Sequence, residues 1–262
     1  GFQAIAPDMR GYGGTDAPAD PREYTMKTLC ADMAGLLDAL GIEQAAFVGH
    51  DWGGAVIWQM GLRYPERVTA LVGLNTPYGP PSNARPTESL RDFHGQTDRT
   101  FYMRYFLAPG VAEAELEADV ATTFKKIFLP YTRAADFTTF MTVGGDGSGV
   151  VARITNTDTF LTDEELAEYV KEYSRTGFRG GLNWYRAADR NADEAGAPKG
   201  PQLNIRSMMV TAGKDTILKP EMAAAMPMLI PGIRMEHIED CAHWTQQERP
   251  AEVNALLLDF LG

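Results

Sequence analysis

Cysteine is scarce in this sequence, and positive charge is outnumbered by negative charge. Only Cys30 and Cys241 occur among 262 residues, which is too few for a disulfide framework and is typical of a protein of the reducing cytoplasm. Lys and Arg number 24 against 35 Asp and Glu, so the formal net charge is −11. Since nucleic acids are bound through clustered Lys and Arg, and these residues are scattered here, we expect no nucleic-acid partner.

Long apolar runs are missing as well. No stretch approaches the roughly 18 apolar residues of a bilayer-spanning helix, so no membrane association is expected. A signal peptide is not visible either, but the chain opens at Gly1 without an initiator Met and in the middle of a regular pattern. Hydrophobic residues make up 44% of the chain, which is enough for one sizeable core with a second small lobe.

The two ends of the sequence alternate short apolar runs with amphipathic helices, which is the pattern of βα units on a parallel sheet. Predicted strands cover residues 2–6, 45–48, 68–74, 207–211 and 234–238. Predicted helices cover residues 26–40, 55–64 and 250–261.

The middle third breaks this alternation and is helical, aromatic and polar. Thr162 and Glu165 form a capping box ahead of apolar residues spaced along one helix face. The sequence therefore predicts an α/β core over residues 1–79 and 196–262, interrupted by a helical cap over residues 80–195.

The segment Gly49-His50-Asp51-Trp52-Gly53 lies between a predicted strand and a predicted helix. It has the form Gly-x-nucleophile-x-Gly, in which small flanking residues allow a tight turn that lifts the middle side chain above the sheet. The nucleophile position holds Asp51, and a carboxylate can attack an sp³ carbon without a base, which yields an ester of the enzyme. The alternative is that the glycines are ordinary turn residues and Asp51 only caps the helix.

Two further candidates follow predicted strands, in the chain order nucleophile, acid, histidine. Asp215 comes after strand 207–211 and His243 after strand 234–238. In these roles His243 deprotonates the water that hydrolyses the ester, while Asp215 orients the imidazole and stabilises its charged form. Either residue alone could be an ordinary turn or loop residue. Glu239 and Asp240 are competing acids, but they lie too near His243 in sequence to approach it from a separate strand.

The remaining histidines have weaker interpretations. His50 is expected to shape the site or to contribute a hydrogen bond, and His94 and His237 are expected to be structural or exposed. No pair of His, Cys or Asp residues shows the spacing of metal ligands, so we expect neither a metal nor a cofactor.

Four further segments resemble the epoxide hydrolase family, particularly its soluble members. The segment Gly49 to Gly54 is similar to the family's nucleophile turn. Longer and more specific similarities cover residues 101–106, 109–117, 177–186 and 237–246. This resemblance implies an α/β-hydrolase fold, in which a mostly parallel sheet flanked by helices carries an inserted helical cap. It also implies hydrolysis of small-molecule epoxides by water.

The resemblance assigns two tyrosines of the cap, Tyr102 and Tyr185, to the epoxide oxygen. Ring opening leaves an alkoxide that needs a nearby acid, and tyrosine can donate a proton while staying un-ionised at neutral pH. Packing is the alternative role for either residue, and Tyr105 is the alternative to Tyr102. Trp52 and Trp184 are expected to line the substrate cavity, or else to serve as aromatic packing.

The chain departs from the family's pattern at its start. The resemblance implies three strands before Gly1, one of which lies in the sheet between strands 2–6 and 45–48. It also implies a His-Gly-x-Pro loop that supplies one N–H of the oxyanion hole, to which the backbone N–H of Trp52 could add the other. Because these segments are not in the sequence, we expect a fragment of a longer protein, with an incomplete sheet and little activity by itself.

Two other functions stay open. A haloalkane dehalogenase uses the same Asp and His chemistry, but it holds the leaving halide with N–H donors such as tryptophan indoles. A non-catalytic or truncated, inactive protein could also keep this fold, although Asp51, Asp215, His243 and both tyrosines are all present.

Overall fold

The computed structural model describes residues 1–79, 85, 100–143, 149–195 and 203–262. Its strands are β1 (Ala45–His50), β2 (Val68–Leu74), β3 (Thr100–Phe101), β4 (Thr142–Val143), β5 (Ser207–Ala212) and β6 (Arg234–Ile238). Its helices are α1 (Met26–Ala39), α2 (Trp52–Arg63), α3 (Tyr102–Tyr105), α4 (Val111–Leu116), α5 (Val120–Ile127), α6 (Ala134–Phe137), α7 (Asp163–Thr176), α8 (Arg179–Arg186), α9 (Ala188–Ala195), α10 (Met226–Leu229), α11 (Thr245–Glu248) and α12 (Pro250–Leu261). Short 3₁₀ turns lie at Pro21–Tyr24, Pro65–Arg67, Tyr131–Arg133, Thr138–Met141 and Pro220–Ala223.

The main sheet has the strand order β1-β2-β5-β6, and every neighbouring pair is parallel. Its register aligns the carboxyl ends of the strands, with His50 opposite Leu74, Leu74 opposite Val210, and Ala212 opposite Ile238. Polar residues that follow these strands are therefore brought to one edge of the sheet, where ligands bind in open α/β sheets.

The two central strands are buried on both faces, as expected for a parallel sheet covered by helices. Successive residues of β2 belong to different clusters because side chains alternate across a strand. Leu71 packs with the apolar faces of α1 and α2, and Val72 packs with Phe260 of α12. The four strands predicted after residue 40 and the three predicted helices are confirmed, with boundaries that differ by at most a few residues.

Two expectations about the first strands are wrong. Residues 2–6 form no strand and pair with no described strand, and Phe2 and Ile5 are exposed. An apolar run becomes a strand only where a neighbour completes its hydrogen-bond ladder, and the described residues offer none there. The apolar residues of 45–48 also predict a buried strand, but β1 forms an edge of the sheet for the same reason, with Val48 exposed.

The helical middle of the chain builds a separate aromatic cluster. Its buried members include Tyr102, Phe106, Phe124, Phe128, Phe137, Phe140 and Phe178. Ile217 and Trp244, from the loops after β5 and β6, pack against this cluster, which places it over the carboxyl edge of the sheet. The predicted capping box forms, with Thr162 and Glu165 each bonding the other's backbone N–H at the start of α7.

Parts of the predicted cap lie outside the described residues, namely 80–84, 86–99 with His94, and 144–148. Residues 196–202, at the predicted return to the core, also lie outside them. Within the described ranges, no helix is both long and apolar enough to cross a bilayer.

Candidate active site

Asp51 lies at the turn between β1 and α2 in a strained backbone conformation. Its φ of 50° and ψ of −120° are rarely adopted by a residue other than glycine. Although Asp51 occupies the cap position of α2, its side chain makes no capping hydrogen bond. The carboxylate is instead free to face a cavity, and 31% of its side chain is exposed.

Of the two glycines in the predicted motif, only Gly49 lies where a side chain would clash with the turn. A Cβ at Gly49 would lie 2.3 Å from the carbonyl oxygen of Gly53, so a side chain at Gly49 would open the turn. A Cβ at Gly53 would meet nothing within 4 Å. The second crowded position is Gly54, whose Cβ would lie 2.6 Å from Thr76 Cβ. Gly53 thus contributes its backbone to the turn, while Gly49 and Gly54 are required for their lack of a side chain.

The loops after β5 and β6 bring Asp215 and His243 together. His243 Nδ1 lies 3.0 Å from Asp215 Oδ2, and both side chains are almost completely buried. The competing acid Glu239 pairs instead with Lys214 and His237 on the surface. The separation in sequence between Asp215 and His243 is closed by the parallel pairing of β5 with β6.

Four donors surround the Asp215 carboxylate. Oδ1 accepts from the backbone N–H groups of Ile217 and Leu218 at 2.8 and 3.0 Å, and Oδ2 accepts from Asn75 Nδ2 at 2.7 Å as well as from His243. Burial by itself raises the pKa of Asp215. The hydrogen bond and charge of His243, together with the other donors, lower the pKa by more than burial raises it. The resulting pKa is about 2, so this carboxylate is ionised at neutral pH.

The opposite edge of the His243 ring faces the nucleophile, with Nε2 lying 3.6 Å from Asp51 Oδ2. Burial lowers the pKa of His243, but the hydrogen bond to Asp215 and the charges of Asp215 and Asp51 outweigh burial and raise it overall. A base whose pKa lies above the ordinary histidine value is a stronger proton acceptor. This imidazole can therefore take a proton at Nε2, beside Asp51, while Asp215 stabilises the positive charge of the imidazolium that forms.

His50 supports the loop that carries His243. Its Nε2 lies 2.6 Å from the carbonyl oxygen of His243, and because a carbonyl only accepts, Nε2 carries the proton. Burial, and then the charge of His243, lower the pKa of His50 to about 4, so the ring is neutral at pH 7. His50 also lines the cavity, where it presents a neutral ring.

The phenols of Tyr102 and Tyr185 line the same cavity. Their ring centroids are 5.9 Å apart and their hydroxyl groups interact with each other. Burial raises the pKa of both phenols well above the ordinary value, and the negative charge of Asp51 adds to the shift. Both groups therefore stay protonated at any physiological pH. Tyr105 points elsewhere and donates to Glu115 at 3.1 Å.

One cavity of about 550 Å³ connects these groups. Its walls are mostly apolar and aromatic, and they include Met9, Tyr12, Phe106, Leu116, Phe124, Phe128, Phe137, Phe140, Tyr169, Tyr173, Phe178 and Leu182. Trp52 and Trp184 line it as well, with Trp52 packing edge-on against Tyr185. A cavity of this size and polarity fits a small apolar molecule whose few polar atoms are held at one place.

Three residues near the reactive groups escaped the sequence interpretation. Asn75 directly follows β2 and bonds Asp215, so the rule that picked out Asp51 and Asp215 at strand ends could also have found it. Phe137 stacks on His243 and Tyr12 packs on Trp184, and no local signal marks either residue. In the part of the chain that the structure describes, no cluster of three or more His, Cys, Asp or Glu side chains could hold a metal ion.

Residues 1–250 match the family model of the alpha/beta hydrolase fold. The whole chain is 43% identical to bifunctional epoxide hydrolase 2 of Mus musculus, of which it covers 47%, and 38% identical to epoxide hydrolase A of Mycobacterium tuberculosis, of which it covers 82%. The chain thus spans about half the length of the mammalian relatives and most of the mycobacterial one.

Solved structures that superpose on this chain are also described as epoxide hydrolases. Epoxide hydrolase A from Mycobacterium thermoresistibile superposes with a TM-score of 0.89 at 42% identity, over 97% of this chain and 81% of that one. An epoxide hydrolase from an endophytic Streptomyces gives a TM-score of 0.90 at 35% identity, over 97% and 78% of the two chains.

Proposed function

Because this chain belongs to the epoxide hydrolase family of the alpha/beta hydrolase fold, we propose that it hydrolyses epoxides to vicinal diols through an ester of Asp51. The observation that carries the proposal is that Asp51, His243 and two protonated phenols line one cavity. Opening an epoxide requires a nucleophile and an acid on opposite sides of the same C–O bond.

In the first step, a carboxylate oxygen of Asp51 attacks one ring carbon. The C–O bond of the ring breaks, and its electron pair moves to the ring oxygen. Tyr102 and Tyr185 hold that oxygen and supply a proton as charge develops on it. The product of this step is a hydroxyalkyl ester of Asp51, and the helices that carry the tyrosines act as the cap of the site.

In the second step, His243 takes a proton from water, and the resulting hydroxide attacks the ester carbonyl carbon of Asp51. The alkoxide that leaves takes its proton from the imidazolium, whose charge Asp215 has stabilised. The carboxylic acid left on Asp51 then loses a proton, and the tyrosine that gave up a proton in the first step regains one, so both groups return to their starting states. The backbone N–H of Trp52, at the first turn of α2, can donate to the oxyanion of this step.

The indole groups favour epoxide over haloalkane as the substrate. A halide leaving group needs free N–H donors, but the N–H groups of Trp58, Trp184 and Trp244 already donate to backbone carbonyls. The indole of Trp52, the fourth tryptophan of the chain, packs edge-on against Tyr185 in the wall of the cavity. The two protonated phenols, which a halide leaving group does not need, line the same cavity.

The state of the two cysteines supports a location in a reducing compartment such as the cytoplasm. Cys30 and Cys241 are both buried and unpaired, and burial raises the pKa of each thiol to about 12. Both side chains therefore act as small apolar residues of the core.

The proposal is tested on the full-length parent protein by single-turnover reaction with an aryl epoxide, with intact mass recorded for the wild type and for His243→Gln. The variant should accumulate protein plus one epoxide, and peptide mapping should place the adduct on Asp51. His237→Gln is the matched control, since His237 is partly exposed and pairs with Glu239 outside the cavity; it should turn over like the wild type. Release of halide from a haloalkane, with neither adduct nor diol from the epoxide, would overturn the proposal in favour of a dehalogenase.

A further inference from the structure

A row of buried polar side chains continues behind Asp215, away from the cavity. Asn75 Nδ2 lies 2.7 Å from Asp215 Oδ2, and the Thr245 hydroxyl lies 2.6 Å from Asn75 Oδ1. Thr245, Asn75, Asp215 and His243 are each at most 5% exposed. Four polar side chains buried in contact are costly unless each hydrogen bond is made, so their arrangement is closely determined.

The orientation of the Asn75 amide is fixed by its neighbours. The carboxylate of Asp215 can only accept, so the amide nitrogen must face it, and the Thr245 hydroxyl then donates to the amide oxygen. The amide nitrogen also lies 3.4 Å from the carbonyl oxygen of Ala242, the residue before His243. Asn75 therefore contacts both the acid and the loop that carries the base.

The backbone at Asn75 places this amide in position. Asn75 directly follows β2 and has a φ of 63°, in the left-handed region that asparagine tolerates better than most residues. Its own N–H donates to the carbonyl oxygen of Val210 in β5, at 2.9 Å. The backbone N–H of Asn75 is thus bonded to the sheet, and its side-chain amide is directed at Asp215.

We propose that Asn75, held by Thr245, is a positioning residue that sets the basicity of His243 through Asp215. The amide N–H and the imidazole Nδ1–H share one oxygen, Oδ2, so the amide neutralises part of the charge that the imidazolium feels. It also fixes the direction of Oδ2 towards Nδ1, which leaves Nε2 facing Asp51. This inference rests on the proposed function, since His243 acts as a base only in the hydrolysis of the ester.

The proposal predicts an effect on one half-reaction only. Asn75→Gly removes the amide and keeps the positive φ, so the uncompensated Asp215 charge should raise the pKa of His243. The other ionisable groups around His243 are Asp51, His50 and Glu248, and they are unchanged in the variant. Hydrolysis of the Asp51 ester at neutral pH should slow by up to about 10-fold, because less of the imidazole is neutral. The midpoint of its pH dependence should move up by about one unit.

The experiment measures ester formation and ester hydrolysis separately, by rapid mixing of the protein with an aryl epoxide and quenching for intact mass between pH 5 and 9. Thr245→Val, which keeps the side-chain shape but frees the Asn75 amide, should shift the midpoint in the same direction by less. Thr123→Val is the matched control, because Thr123 is equally buried and its hydroxyl donates to the carbonyl oxygen of Leu116 at the end of α4, away from Asp215.

The outcomes separate this inference from the function on which it rests. An upward shift of the midpoint with an unchanged rate of ester formation supports the role of Asn75. A midpoint in Asn75→Gly that stays in place or moves down, with or without slower turnover, overturns it and leaves the amide as a structural contact. If the wild type forms no ester at all, the proposed function is wrong, and this inference is wrong as well because it depends on that function.

Discussion

The Nε2 atom of His243 lies 3.6 Å from Oδ2 of Asp51, so the proposed base of the second step lies beside the proposed nucleophile of the first. The Asp51 charge helps to raise the pKa of His243, and esterification removes that charge. The pKa of His243 should therefore fall once the ester forms. The neutral base then becomes available at the stage of the reaction that needs it.

Asp51→Asn tests this relationship, because asparagine is neutral and has the shape of the ester's carbonyl group. The pKa of His243, followed by NMR through its ring protons, should be lower in the variant than in the wild type. The Asp215 contact is unchanged, so the shift measures the Asp51 charge alone. An equal or higher pKa in the variant would show that Asp51 does not stabilise the imidazolium.

The two phenols should matter for ester formation and not for ester hydrolysis. Tyr102→Phe and Tyr185→Phe each remove one donor to the epoxide oxygen, and each should slow ester formation roughly 100-fold. Stopped-flow tryptophan fluorescence can follow this step, since Trp52 packs against Tyr185. Tyr105→Phe is the control, with a rate within about twofold of the wild type, because its hydroxyl serves Glu115. Slowing confined to hydrolysis would contradict the assignment.

The buried ion pair of Arg186 and Glu113 should stabilise the region that carries both tyrosines. Arg186 follows Tyr185, donates to both Glu113 oxygens and also to the carbonyl oxygen of Phe106 at the end of α3. The two side chains are only 5% and 13% exposed. Arg186→Met leaves Glu113 buried without its partner, so the free energy of unfolding should fall by about 3 kcal/mol in urea titrations.

The control for this prediction is Arg190→Met. Arg190 pairs with Glu194 one turn further on, but its side chain is 56% exposed. A solvated pair contributes little, so the change should stay within about 0.5 kcal/mol. Equal losses in the two variants would show that burial does not set the strength of the Arg186 pair.

Asp215 should also make stability depend on acid pH. Its pKa falls from the ordinary 3.8 to about 2 in the folded protein. The stabilisation is therefore present above pH 4 and is lost as the pH falls towards 2. Between pH 6 and pH 3 the wild type should lose about 1 kcal/mol more than Asp215→Asn in urea titrations. Asp240→Asn, at an exposed residue of the neighbouring loop, should keep the wild-type slope. Parallel slopes for all three proteins would refute the assignment.

Much of the core was predictable because its signals are local. The strand over 68–74, the capping box at Thr162 and the turn at Asp51 each depend on residues that are neighbours in sequence. Residues 2–6 show the limit of such signals, since their apolar pattern is typical of a strand but a ladder needs a partner. Gly53 shows the same limit of local signals. The motif contains two glycines, and only the tertiary packing reveals that Gly49 is crowded and Gly53 is not.

The sequence by itself determined the kinds of chemical groups and their order, a carboxylate at Asp51 followed by Asp215 and His243, because these follow from side-chain type and from the alternation of strands and helices. The tertiary structure alone decided the distances between those groups and the surroundings that tune them. Parallel pairing of β5 with β6 brings Asp215 to His243, and burial sets their pKa values. Asn75 acquires its place beside Asp215 in the same way, since a hydrogen bond across 140 positions depends on how the strands pack and not on any local pattern.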